Sequence, residues 1–293
     1  MLKACLLTLP ALTAVPSAAA EQNILETVQA IEARIGGRIG IAVYETGTDK
    51  IWEYRADERF PLSSTFKPFA CAAVLSRVER GEERLHRVVE IARNDLVTYS
   101  PVTEKRVSTV GMTIVELCEA TITQSDNTAG NLILESLNGP AGFTDYMRSI
   151  GDKVTRLDRW ENDLNEGAPG DKQDTTTPRA AAGSLRTLLL GEALSQSSRE
   201  QLTTWMENDN VADALFRSVL PESWRIADKS GAGGHGARSL IAVMWPRSRS
   251  PIIAAVYLAE NDAPFADRNA AIADIGAAII KETQPIPSFS TPQ

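Results

Sequence analysis

The chain has 293 residues, 43% hydrophobic and 23% charged, with 30 Lys and Arg against 38 Asp and Glu, a formal charge of −8. Such a chain suits one large globular domain or two interleaved ones, and its acidity excludes a grip on a phosphate backbone, so no nucleic-acid partner is expected. Two His and three Cys are too few soft ligands for a His/Cys zinc site, so neither a metal nor a cofactor is expected.

Taken from the start, Lys3 precedes an apolar run from Ala4 to Val15, and Pro16-Ser17-Ala18-Ala19-Ala20 follows. A basic start, a short apolar stretch and small residues read as a secretory signal over residues 1–20, so the protein is expected to be exported, to the periplasm in a Gram-negative cell. The run is shorter than the ~20 residues a bilayer needs, so no membrane span is expected in the mature protein. Cleavage removes Cys5 and leaves Cys71 and Cys118, an even pair in an oxidising compartment; they form either a bridge or two separate buried thiols.

Apolar residues at 24, 25, 28, 31 and 35 predict a helix over Ile24 to Ile35, stopped by Gly36-Gly37. Arg38 to Tyr44 and Ile51 to Arg55 predict a β-hairpin. From Phe66 to Met206 the pattern is mostly helical. Strand-like runs return at Trp224 to Lys229, Ser239 to Trp245 and Ile252 to Leu258, before a last helix over Asp267 to Lys281. The expected fold is α/β of the α+β kind: one antiparallel sheet built from both termini with flanking helices, plus a central all-helical lobe. The expected division places residues 21–63 and 208–283 in the α/β domain and 64–207 in the helical domain, with a flexible tail over 284–293. The cleft between the lobes is the expected ligand site.

Four short patterns carry possible chemistry. In Ser64-Thr65-Phe66-Lys67, a helix starting at Ser64 puts hydroxyl and ammonium on one face, and Pro68 is tolerated in a first turn. Phe69, Cys71, Ala72 and Ala73 make this helix apolar nearly all round, so Lys67 is expected to be buried, with a lowered pKa. Ser125-Asp126-Asn127 follows the helical stretch Met112 to Thr123 in a turn-forming cluster. Glu161, Leu164 and Asn165 lie in a long polar loop from Trp160 to Pro178, which Arg159 and Asp174 could pin at its ends. Lys229-Ser230-Gly231 ends a predicted strand, and Ala232-Gly233-Gly234 follow, small residues that allow a ligand to approach the strand edge.

In combination and in this order, S-x-x-K, S-D-N, E-x-x-L-N and K-S-G resemble the signature of the class A serine β-lactamases, with Ser230 in place of a threonine. Asn94 to Val102, Trp205-Met206, Ile226 to Gly231 and Arg268-Asn269 also look like family segments, and the resemblance runs from about residue 24 to 282. It implies hydrolysis of β-lactam antibiotics, mainly penicillins, with antibiotic resistance as the consequence. Ser64 would be the nucleophile, Lys67 a proton acceptor, Ser125 the relay to the lactam nitrogen, and Glu161 with Asn165 the holder of the hydrolytic water. Either Lys67 or Glu161 serves as base in acylation. The N–H groups of Ser64 and Ala232 would form the oxyanion hole. Lys229, Ser230, Gly231 and Arg238 would receive the substrate carboxylate, Asn127 the acylamide side chain, and Tyr99 one wall of the cleft. Cysteines found at the positions of Ser63 and Gly233 in carbapenem-hydrolysing members are not present here. Gly233 to Arg238 resembles the carbenicillin-hydrolysing subgroup, which often has Arg where this chain has Lys229. His86 and His235 read as solvated. Partners beyond small-molecule β-lactams are not implied, and nothing demands more than a monomer.

Two other readings compete. A penicillin-binding receptor or transpeptidase would stay acylated, and it needs no water-activating carboxylate at position 161. A serine esterase with a histidine triad needs a histidine near a motif and a G-x-S-x-G elbow, and neither is present in the sequence.

Overall fold

The computed structural model describes residues 23–48 and 50–283. The expected signal and the C-terminal tail lie outside those residues.

Helix α1 (Ile24–Ile35) has the bounds its periodicity predicts. The Asn23 side chain accepts from Glu26 N while the Glu26 carboxylate accepts from Asn23 N, so orphan donors at the helix start are satisfied reciprocally. The chain continues through β1 (Arg38–Glu45), β2 (Lys50–Tyr54) and β3 (Phe60–Pro61) to α2 (Phe66–Glu79). Then come β4 (Val88–Val89), β5 (Met112–Thr113), α3 (Ile114–Thr123), α4 (Asn127–Ser136), α5 (Gly139–Ser149) and β6 (Thr175–Thr176). Helices α6 (Pro178–Leu189) and α7 (Gln196–Glu207), strands β7 (Arg225–Ala232), β8 (Arg238–Trp245) and β9 (Ile252–Ala259), and α8 (Phe265–Thr283) complete it.

One antiparallel sheet has the order β2-β1-β9-β8-β7, so the N-terminal hairpin is joined to the C-terminal meander through the β1–β9 pair. Both faces are covered, which is why β8 and β9 read as almost unbroken apolar runs. Ile41, Val43, Leu240, Ala242 and Val256 face α1 and α8, against Val28, Ile272 and Ile275. Ile241, Val243, Ile253 and Ala255 belong to the opposite face, whose cluster extends into α2 and α6. The alternation along each strand produces this division.

The central segment is helical around α2, where every residue from Phe66 to Leu75 is buried. Two ribbons, β3 with β6 and β4 with β5, add to the helical layout expected there. Strands of two residues show no alternation that a sequence reading can detect. Cys71 on α2 and Cys118 on α3 are disulfide-bonded with Cα atoms 5.7 Å apart and a sequence separation of 47. Among the described residues, no helix is long and apolar enough to cross a membrane.

Candidate active site

The site is built where α2, the turn before α4, the loop before α6 and the edge strand β7 meet. Ser64 lies in a 3-10 turn, Ser63–Thr65, and the α-helix begins at Phe66, two residues later than the S-x-x-K spacing predicts. Tight i→i+3 bonding is usual at such a helix start, and it leaves Pro68 in the first turn as expected. Lys67 is fully buried. Its ammonium donates to Ser125 O at 2.8 Å, Ser125 Oγ at 3.3 Å and Asn127 Oδ1 at 2.6 Å. Ser125 Oγ in turn donates to Ser64 Oγ at 3.0 Å, so the second serine stands between the first serine and the amine. The side chain of Asp126 works elsewhere: it caps α4 through Ala129 N and accepts from Val102 N and Thr103 N, each at 2.9 Å or less. That fixes the loop carrying Tyr99, whose carbonyl accepts from Asn127 N at 3.0 Å. Tyr99 and Ser125 both hold left-handed backbone, φ 66 and 55, a cost for side-chain-bearing residues that clusters at the cleft.

Glu161 is also buried, its Oε1 3.2 Å from Lys67 Nζ with both side chains at 0% exposure. Asn165 Nδ2 donates to Glu161 Oε2 at 2.5 Å. Burial pulls the Lys67 amine below the ordinary lysine value, while the neighbouring Glu161 carboxylate resists that shift. The loop bearing Glu161 is pinned as Arg159 and Asp174 predict, Nε to Oδ2 at 2.5 Å, and Arg159 reaches Glu166 and Asp171 as well. Asn131 holds the base of the loop by both amide atoms, accepting from Glu161 N at 2.9 Å and donating to Glu161 O at 3.0 Å. Sequence reasoning missed Asn131, since a lone asparagine inside a helix carries no signal before the loop is folded against it.

Strand β7 closes the other side. A Cβ at Gly231 would lie 2.6 Å from Ser239 Oγ and 3.1 Å from Ser63 Cβ, so only glycine lets the strand come this close to the Ser64 turn. At Gly233 a Cβ would meet Asn165 O at 2.7 Å, and Gly234 N donates to that carbonyl at 2.8 Å, which docks the β7–β8 turn on the loop. Lys229 lies fully buried behind the strand, with Nζ 3.8 Å from Asp209 Oδ2 and 3.2 Å from Ser230 O. Burial, opposed by Asp209 and assisted by Lys67, pushes its amine down to about 8. A cleft of about 390 Å³ is lined by Ser64, Tyr99, Ser125, Asn127, Asn165, Ser230, Gly231, Ala232 and Arg238, all named by the sequence. Phe265 and Asn269 line it too. His86 and His235 are exposed, and neither is among the residues that line the cleft.

The arrangement puts a hydroxyl, two amines and a carboxylate within a few bonds of an open cleft, a constellation fit for nucleophilic attack followed by general-base hydrolysis. Comparison with known proteins agrees. The family model described as "Beta-lactamase enzyme family" matches residues 23–283. β-Lactamase AER-1 of Aeromonas hydrophila is 49% identical over 261 residues, covering 89% of this chain and 86% of that protein. β-Lactamase CARB-3 of Pseudomonas aeruginosa is 51% identical over 258 residues, covering 88% and 89%. The solved ancestral (GNCA) class A β-lactamase superposes with a TM-score of 0.87 at 54% identity, over 88% of this chain and 99% of that one. The chain therefore belongs to the β-lactamase enzyme family, as a class A serine β-lactamase that hydrolyses β-lactam antibiotics and confers resistance to them.

Proposed function

We propose that Ser64 attacks the lactam carbonyl and that its proton passes by way of Ser125 to Lys67. The C–N bond breaks as the Ser64 ester forms, and Ser125 delivers a proton to the departing nitrogen. The N–H groups of Ser64 and Ala232 hold the carbonyl oxygen as it gains charge; losing one such donor typically costs about 3 kcal/mol in the barrier. Water, deprotonated by Glu161, then attacks the ester carbonyl; the bond to Ser64 Oγ breaks, the proton returns to that oxygen, and the ring-opened acid is released. The observation that carries the reading is the unbroken sequence of contacts from Ser64 to Ser125, Lys67, Glu161 and Asn165, each 3.3 Å or less. Glu161 Oε1, held by the Lys67 ion pair alone, and Asn165 Oδ1, a buried acceptor with no protein donor among the described residues, support the last step. One water, with two O–H donors, satisfies both. That feature also favours turnover over a receptor that stays acylated.

Arg238 and Ser230, with the field of Lys229 behind them, receive the substrate carboxylate. Asn127 faces the acylamide and Tyr99, 55% exposed, forms the outer wall. We assign penicillins as the main substrates. Positions 63 and 233 adjoin, a Cβ on Gly233 lying 2.9 Å from Ser63 Oγ, but they hold no cysteine pair, which disfavours carbapenems. The enzyme works as an exported monomer, in the periplasm, where its disulfide is stable; all the residues assigned here come from one chain. Ser64→Ala tests the central role: penicillin turnover falls by roughly 10⁴-fold or more, and retained turnover would disqualify Ser64.

A further inference from the structure

Arg238 presents an unusual balance of contacts. It is 5% exposed, yet among the described residues no carboxylate forms an ion pair with it. Its Nε donates to Asn269 Oδ1 at 2.8 Å and its Nη1 to Gly231 O at 3.0 Å. The guanidinium donors point out along its plane, so neither bond covers the flat face of the group. The remaining contact is a ring: Arg238 Cζ sits 4.9 Å from the centroid of Phe265, the first residue of α8. Phe265 is 50% exposed and lines the cleft. The same ring lies 5.4 Å from Arg268 Cζ, so two mutually repelling guanidiniums pack against one aromatic ring. Burial and then Arg268, opposed by the Asp209 carboxylate beyond ion-pair distance, pull Arg238 down to about 10, still a cation at neutral pH.

We propose that Phe265 is a positioning residue for Arg238, holding its guanidinium at the cleft without neutralising it. An amide, a carbonyl and a π-face are all uncharged, so an incoming carboxylate meets a full, fixed positive charge with N–H groups to spare. An acidic partner in place of the ring would hold the arginine equally well and cancel the charge that binds substrate. The proposal rests on the assignment of Arg238 to the substrate carboxylate.

The test is a set of steady-state measurements on benzylpenicillin with Phe265→Ala, Phe265→Leu and Phe265→Tyr, each in the wild-type and Arg238→Ala backgrounds. Removing the ring raises KM roughly three- to tenfold with kcat within about twofold, the range of a partly desolvated cation–π contact. Phe265→Leu keeps apolar volume without a π-face and keeps the defect; it also keeps the test alive if the alanine variant folds poorly. Phe265→Tyr restores KM. In the Arg238→Ala background the Phe265 changes add nothing further. If Phe265→Ala raises KM as much without Arg238 as with it, the ring acts on substrate directly and the proposal falls. If Phe265→Leu matches wild type, apolar contact suffices and the proposal falls as well. If Arg238→Ala by itself leaves KM unchanged, the fault lies in the carboxylate assignment, and the positioning role goes with it.

Discussion

Replacing Glu161 by Gln isolates the step that separates a β-lactamase from a protein that only traps the drug. The two side chains are nearly the same shape, but the site offers this carboxylate donors on both oxygens: Asn165 Nδ2 at 2.5 Å on Oε2, and Lys67 Nζ at 3.2 Å toward Oε1. A glutamine therefore turns its NH₂ toward one donor in either orientation, and it has no lone pair basic enough to take a proton from water. General-base catalysis contributes about 10²–10⁴-fold, so the deacylation barrier rises by about 3–5 kcal/mol. Acylation survives. Glu161 is the main group resisting the downward shift of Lys67, so its loss lowers that amine further and increases its neutral, proton-accepting fraction. The assay is rapid mixing with benzylpenicillin followed by mass spectrometry of the intact protein. The expected result is a stoichiometric adduct that maps to Ser64, a burst of about one equivalent, and a steady-state kcat reduced 10²–10⁴-fold. A kcat within threefold of wild type, or a variant that neither turns over nor forms an adduct, refutes the reasoning. In the first case Glu161 is not the base for water; in the second it is indispensable to acylation.

The remaining predictions concern charge and stability. Lys229, held at about 8, is a cation below that pH and neutral above it, so KM for a penicillin carboxylate rises as pH climbs through about 8. Lys229→Arg keeps its charge and should move that limb to higher pH; KM values measured between about pH 6 and 10 that show no rise in wild type, or an unmoved limb in the variant, contradict the assignment. The Cys71–Cys118 bridge spans a sequence separation of 47, for which loop entropy gives about 4 kcal/mol. Cys71→Ala/Cys118→Ala should lower Tm by roughly 8–16 °C while the protein still turns over penicillin at low temperature. An unchanged melting curve by circular dichroism would show that the bridge adds nothing to the fold.

How much of this was legible depends on distance along the chain. Where a residue's environment is its own helix, the sequence spoke clearly: α1 begins and ends at the residues its periodicity and its Gly36 stop predict, and the all-round apolar face of α2 foretold a buried Lys67. Where two segments meet, only motifs helped. The four patterns named Ser64, Ser125, Asn127, Asn165, Ser230 and Gly231 in the cleft lining, and the family resemblance added Tyr99, Ala232 and Arg238, but the spacing suggested a direct Ser64–Lys67 partnership. Only the fold, by setting Ser125 at 3.0 Å from one and 3.3 Å from the other, revealed the second serine as the link. Asn131 and Phe265 lay outside any pattern. Each is one ordinary residue in a helix, and its purpose exists only after a loop or a strand from elsewhere has been packed against it.

The same distances explain why the acid resides on a loop at all. Ser64 and Lys67 share one rigid turn and helix, Lys67 holds the Ser125 turn through its carbonyl at 2.8 Å, and β7 is locked in a sheet, so the groups that form the acyl-enzyme need no further support. Glu161 comes from irregular backbone, the kind of segment that is ordinarily the most mobile. Here it is tied at three places: by Asn131 at its own peptide groups, by Arg159 to Asp174 across the loop, and by Gly234 N bonded to Asn165 O from the β7–β8 turn. Loosening any of these ties should slow water attack more than acylation, since acylation is assembled on the rigid elements and deacylation on the loop. A defect falling equally on both half-reactions would mean instead that Glu161 takes part in forming the ester as much as in breaking it.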